Sequence, residues 1–176
     1  MFNSYYPFSL IQRTPKDSDY LHAEYVFQFR TEKRRYLIIA EQYEFNVFAV
    51  KFFPAERKND KYRFNLVLND HNFAPIIRTS INVMLWLLER NPMASFAYVG
   101  ANTITADFIE DKILSQRYRI YEYVMDIFLN PYKFKRYFSK KNSAVLLMNL
   151  ENEDVEERAS CIIDMFVELY NELDAD

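Results

Sequence analysis

Two histidines, His22 and His71, and one cysteine, Cys161, are the whole stock for soft-metal or thiol chemistry in this 176-residue chain. Neither histidine has a partner four residues away or stands near the cysteine, so no metal site is expected. Cys161 falls on the apolar stripe of the last predicted helix, where it reads as a small hydrophobe and not as a nucleophile. The carboxylate pairs Glu110/Asp111 and Glu156/Glu157 are adjacent within predicted helices, which splits each pair across the surface. Gly100 is the only glycine. A P-loop and a dinucleotide fingerprint both need several glycines for the backbone to approach phosphate, so neither is present. No catalytic residue and no cofactor are expected.

Two patterns remain. Gly100-Ala101-Asn102-Thr103 follows a predicted strand and opens a predicted helix. Free N–H groups there suit an anion, with Arg117 and Arg119 a few turns along, although one glycine at such a turn usually serves geometry alone. The second pattern is Tyr132 to Lys141, where Lys133, Lys135, Arg136, Lys140 and Lys141 interleave with Tyr132, Phe134, Tyr137 and Phe138. Arg117, Tyr118, Arg119 and Tyr121 extend it upstream. In a strand, Lys133, Lys135 and Tyr137 share one face, and Phe134, Arg136 and Phe138 share the other. A half-buried surface strand needs that alternation anyway. The sharper reading is a polyanion surface on which the cations neutralise phosphates while Tyr118 or Tyr137 stacks on bases.

These residues need elements to hold them. Residues 1 to 23, with Pro7, Pro15 and no periodicity, read as an extended lead-in to a single domain over residues 24 to 176. Period-two alternation at Tyr25, Phe27 and Phe29 and at Phe48, Val50 and Phe52 predicts strands, with β-rich Arg35 to Tyr43 between them and Tyr62 to Leu68 as a fourth. Ile77, Ile81, Met84, Leu85 and Leu88 predict a helix over 74–90 that Asn91-Pro92 ends. A short strand at Ser95 to Val99 and a helix over 105–129, bent or broken near Ser115-Gln116, come next. Strands at Lys133 to Phe138 and Ser143 to Leu150 precede a last helix, capped by Asn152 or Asp154, with Val155, Ala159, Ile162 and Phe166 on its stripe. The order ββββαβαββα predicts an α+β fold: an antiparallel sheet of six or seven strands with three main helices covering one face.

Composition bounds the function class. Half the residues are apolar, and 14 Tyr and 16 Phe make the aromatic share 18%. The apolar runs are too short for the roughly 20 residues of a membrane helix, and the amino terminus lacks a signal pattern. A lone cysteine fits a reducing, cytoplasmic compartment. The net charge of −3 is divided along the chain, because residues 150 to 176 hold ten acidic groups against Arg158. Those acids read as a solvated helix face, or as a tail that competes for the basic segment.

The chain resembles a family of small uncharacterised bacterial proteins. The resemblance lies in the strand before Gly100, in Gln116-Arg117-Tyr118-Arg119-Ile120-Tyr121, and in Ser143-Ala144-Val145-Leu146-Leu147-Met148-Asn149. Ala40-Glu41-Gln42-Tyr43, Asn91-Pro92 and Ser95-Phe96 add to it. It implies no activity, cofactor or catalytic residue. The ββββα opening is also similar to one half of whirly-type or Pur-type single-strand-binding domains, from which the later βαββα order departs. The function expected is non-catalytic binding through protein–protein contact or self-association. The alternative is nucleic-acid binding through residues 132 to 141 with Arg117 and Arg119.

Overall fold

In the computed structural model, residues 4–65, 73–100, 115–129 and 133–170 are described. Seven strands form one sheet: β1 (Phe8–Pro15), β2 (Leu21–Arg30), β3 (Arg35–Tyr43), β4 (Val47–Pro54), β5 (Ser95–Val99), β6 (Phe134–Ser139) and β7 (Ala144–Asn149). Their order is β1-β2-β3-β4-β5-β7-β6. All neighbours are antiparallel except β4 and β5, which run parallel because the helix α1 (Phe73–Arg90) carries the chain across between them. The other α-helices among the described residues are α2 (Gln116–Phe128) and α3 (Val155–Leu169). The α+β architecture expected from the sequence is the one observed.

The sheet is covered on both faces, which corrects the expectation of helices on one. Phe27, Phe48, Val50, Phe52 and Phe96 point into a core closed by Ile77, Ile81 and Met84 of α1 and by Tyr121 and Met125 of α2. Val47, Ala49, Leu146 and Met148 point the other way, against Ala159, Ile162 and Met165 of α3. Seven of the eight β4 residues are buried. A strand apolar on both sides must have cover on both, and the stripe of α3 supplies it.

The first four strands form the expected meander, but its members differ. Residues 61–65 are turns, and 66–68 lie outside the described residues. The additional strand is β1, inside the stretch expected to be a lead-in, and it pairs with β2 from Phe8↔Phe29 to Pro15↔Ala23. Its register shifts between Leu10 and Gln12. A bulge there moves the alternation on by one residue, which hid the period from the sequence. The part of the expected second helix from 105 to 114 lies outside the described residues, and the break near Ser115-Gln116 is the start of α2. Asp154 precedes α3 at φ 50° and makes no side-chain cap, contrary to the capping expected of it.

Candidate functional site

The basic-aromatic segment is built around β6, an edge strand, and the sheet sends its cations in opposite directions. Lys135 and Tyr137 face α3, where both reach Glu156; the Tyr137 hydroxyl donates to Glu156 Oε2 at 2.8 Å. Arg136 faces the other side and pairs with Asp126 of α2. Glu156 holds the Lys135 ammonium above its ordinary pKa, and Lys135 in turn lowers that of Glu156. The acidic last helix thus meets the basic strand. Phe134 is buried in the core. Lys133 is half-buried, and Lys140 and Lys141 are exposed at the turn into β7. The pattern in the sequence therefore becomes two acid-paired cations on opposite faces plus lysines at either end.

Around Gly100 the described polar groups are spent internally. The Gly100 N–H donates to the Ser143 carbonyl at 2.8 Å. The Ser115 hydroxyl donates to the Gly100 carbonyl and accepts the Tyr118 N–H at 3.2 Å, capping α2, while the Ser115 N–H donates to Ser143 Oγ at 3.0 Å. Glycine is required for space: a Cβ there would lie 2.5 Å from the Tyr118 nitrogen. Thr103 lies outside the described residues. Arg117 reaches the Phe64 carbonyl, whereas Arg119, two positions on, is exposed. The two arginines do not converge. Tyr118, expected to stack on a ligand, is buried against this turn, and burial with Glu122 nearby pushes its hydroxyl up to about 12.

The sequence reading missed a polar cluster on the α3 face. Lys51 Nζ lies 2.6 Å from Glu41 Oε2 and donates to the Tyr170 hydroxyl at 3.1 Å. The Tyr43 hydroxyl donates to the same Glu41 oxygen at 2.9 Å and sits 3.0 Å from that of Tyr170. Burial works against the charge on Lys51, but Glu41 and Tyr170 outweigh it and its pKa is raised, so it stays an ammonium. Burial and Tyr170 raise Tyr43. On the opposite face the Tyr98 hydroxyl donates to Glu122 Oε1 at 3.1 Å, and the Tyr98 ring stacks on Tyr121 at 4.4 Å. Burial raises the Glu122 carboxyl. The available signal was Lys51 itself, a lone charge in the apolar run Val47–Pro54. The polar groups of each cluster bond one another, which suits a structural role.

The edge at β1 is different. Ser9 to Arg13 are exposed without a break, with Leu10 at 39% and Ile11 at 48%. The only charge on the strand is Arg13, which donates to the Tyr25 hydroxyl at 3.1 Å. Gln12 is bonded to Thr14 on the face away from α1. Among the described residues the bulge at Ile11 and Pro15 at the strand's end are its guards. Edge β6 is shorter and carries Lys135 and Arg136 with their acids.

Among the described residues no group of three or more His, Cys, Asp or Glu side chains could hold a metal ion, and no helix is long and apolar enough to cross a membrane. No family model, curated protein or solved structure matches the chain.

Proposed function

We propose that this chain is a non-catalytic binding protein that acts through protein–protein contacts, taking a partner strand at the outer edge of β1. One observation carries the reading: of the two sheet edges, β6 is guarded by acid-paired cations while β1 is exposed, nearly uncharged and bears Leu10 and Ile11. Main-chain pairing at an open edge gives affinity, and alternate side chains give selectivity. The internal satisfaction of the Lys51 and Glu122 clusters supports a binding role over a catalytic one. The pairing of Lys135 with Glu156 and of Arg136 with Asp126 weighs against nucleic acid at 132 to 141, because each acid cancels charge a phosphate would use. A reducing, cytoplasmic compartment fits the lone Cys161.

The test compares wild type, a Leu10→Lys/Ile11→Lys variant and a Lys135→Glu/Arg136→Glu variant in two assays. One recovers partners from native lysate, and the other measures anisotropy with labelled single-stranded DNA, duplex DNA and RNA at about 50 and about 200 mM salt. The reading expects partners retained by the β6 variant and lost by the β1 variant, without nucleic-acid binding. Salt-sensitive nucleic-acid binding that the β6 variant abolishes would overturn it in favour of the polyanion surface.

A further inference from the structure

One end of the sheet gathers more cations than its own acids can pair. Residues 30–35, at the tip of the β2–β3 hairpin, and residues 55–65, which follow β4, together hold eight lysines and arginines against three acids. Topology sets the two segments side by side, because Tyr36 of β3 pairs with Pro54 of β4, and an ion pair of Arg34 with Glu56 at 3.2 Å ties them. Asp60 is taken by Arg57 at 3.6 Å, which leaves Glu32, exposed at the hairpin tip, as the third acid. Arg30 and Arg35 stand directly opposite one another, both exposed, and Lys58 and Lys61 are exposed on the neighbouring segment. No described carboxylate forms an ion pair with any of these four. Like charges directly opposite on a sheet repel, and a bound anion relieves that repulsion. Arg63 joins them: its guanidinium lies 4.8 Å from the Phe53 ring, and Phe53 pairs with Leu37, two residues along from Arg35 and on the same face. At β6, by contrast, a helix supplies an acid for each of Lys135 and Arg136.

We infer that this basic rim is a docking surface for a carboxylate-rich segment of a partner protein. Guanidinium forks match carboxylates in geometry as well as in charge, and Arg30 and Arg35 present two of them side by side. Two features favour a polypeptide over a nucleic acid. A phosphodiester chain carries a charge at every nucleotide and would set some of them against Glu32, Glu56 and Asp60, whereas a polypeptide can place its carboxylates only where cations stand. Stacking of bases needs open rings; Phe53 is buried and Phe64 is half-buried with Arg63 over it, which leaves Tyr62 at 46% exposure. Encounter is steered by charge and slowed by salt. The rim lies at one end of the sheet and not along the outer edge of β1, so the inference goes beyond the strand pairing proposed there and does not depend on it.

Fluorescence anisotropy of the full chain with a labelled octaglutamate peptide, at about 50 and about 200 mM salt, tests this. Binding is expected at the lower salt and should weaken severalfold at the higher, while octaglutamine should not bind. Arg30→Glu/Arg35→Glu and Lys58→Glu/Lys61→Glu should each weaken binding by roughly tenfold or more. Lys135→Glu/Arg136→Glu changes the net charge by the same amount and should bind like wild type, as should Leu10→Lys/Ile11→Lys at the β1 edge. The four rim positions are exposed and lie on two segments, so a fold defect in one variant, read as a lowered melting temperature, leaves the other to decide. Absence of binding at the lower salt overturns the inference, as does binding that survives both rim variants or that the β6 variant weakens equally. Labelled oligothymidylate of matched charge is measured beside the peptide; tighter binding of the DNA, lost in the rim variants, would overturn it in favour of nucleic acid. None of these outcomes bears on the β1 edge, which the lysate comparison decides.

Discussion

Gly100→Ala should destabilise the protein, by an amount the geometry of the turn fixes. The added Cβ would meet the Tyr118 nitrogen at 2.5 Å and its Cα and Cβ at 2.7 Å, against ordinary contacts that begin at 3.4 Å. The first turn of α2 would have to retreat by about 0.7–0.9 Å. The obstructing atoms are largely backbone, and the Ser115 cap and the Ser143 bonds hold that turn in place. Overpacking of this kind costs about 1–3 kcal/mol. In a chain of this length each kcal/mol moves the melting temperature by about 2–4 °C, so a fall of about 2–12 °C is expected. Thermal unfolding followed by circular dichroism reads it. In the same assay phosphate should stabilise wild type and Ser115→Ala equally, because the described amides here, those of Gly100, Ser115 and Tyr118, are already bonded. A Gly100→Ala variant as stable as wild type would refute the packing role. Phosphate stabilisation lost on removing the Ser115 hydroxyl would restore the anion site.

The remaining predictions concern buried polar groups. Lys51→Met should cost about 2–3 kcal/mol, below the 3–5 of a fully buried pair because Lys51 and Glu41 keep 29% and 17% exposure; a double-mutant cycle with Glu41→Gln in urea should show coupling of about 1–2 kcal/mol. Tyr43, Tyr98, Tyr118 and Tyr121 all have raised folded-state pKa values through burial. Their contribution is complete below the ordinary tyrosine value and is lost as pH rises towards the folded one. Tyrosinate absorbance should therefore rise in a late cooperative step that coincides with loss of ellipticity, and a smooth titration without unfolding would contradict this. Burial raises Glu122 as well, so its stabilising contribution belongs to acid pH and is lost as the carboxyl ionises. Glu122→Gln should raise the urea midpoint at pH 7 with a gain that vanishes towards about pH 4.

The sequence exposed most of the fold because the strongly periodic elements are also the well-packed ones. The stripe of α1 and the alternation in β2 and β4 were legible for that reason. β1 was not, because the bulge at Ile11 breaks its period and Pro7 and Pro15 frame it like a loop. The second covered face was hidden in plain view: Val47, Ala49 and Phe53 are as apolar as their neighbours, which only a strand buried on both sides requires. For the candidate site, composition located the cations of β6 but not their acids. Glu156 and Asp126 come from two helices that flank the strand, and such pairings follow from topology. Lys51 and Glu41 meet across neighbouring strands and find Tyr170 over 100 residues away, a convergence that no spacing along the chain encodes.

Hydrogen–deuterium exchange of the full chain, alone and with a partner recovered from native lysate and read peptide by peptide, tests the binding role of β1 most directly. Residues 8–15 should exchange rapidly in the chain alone and slow markedly with the partner bound, while 134–139 stay unchanged. Protection that grows at 134–139 with none at 8–15 would contradict the assignment of β1 as the binding edge.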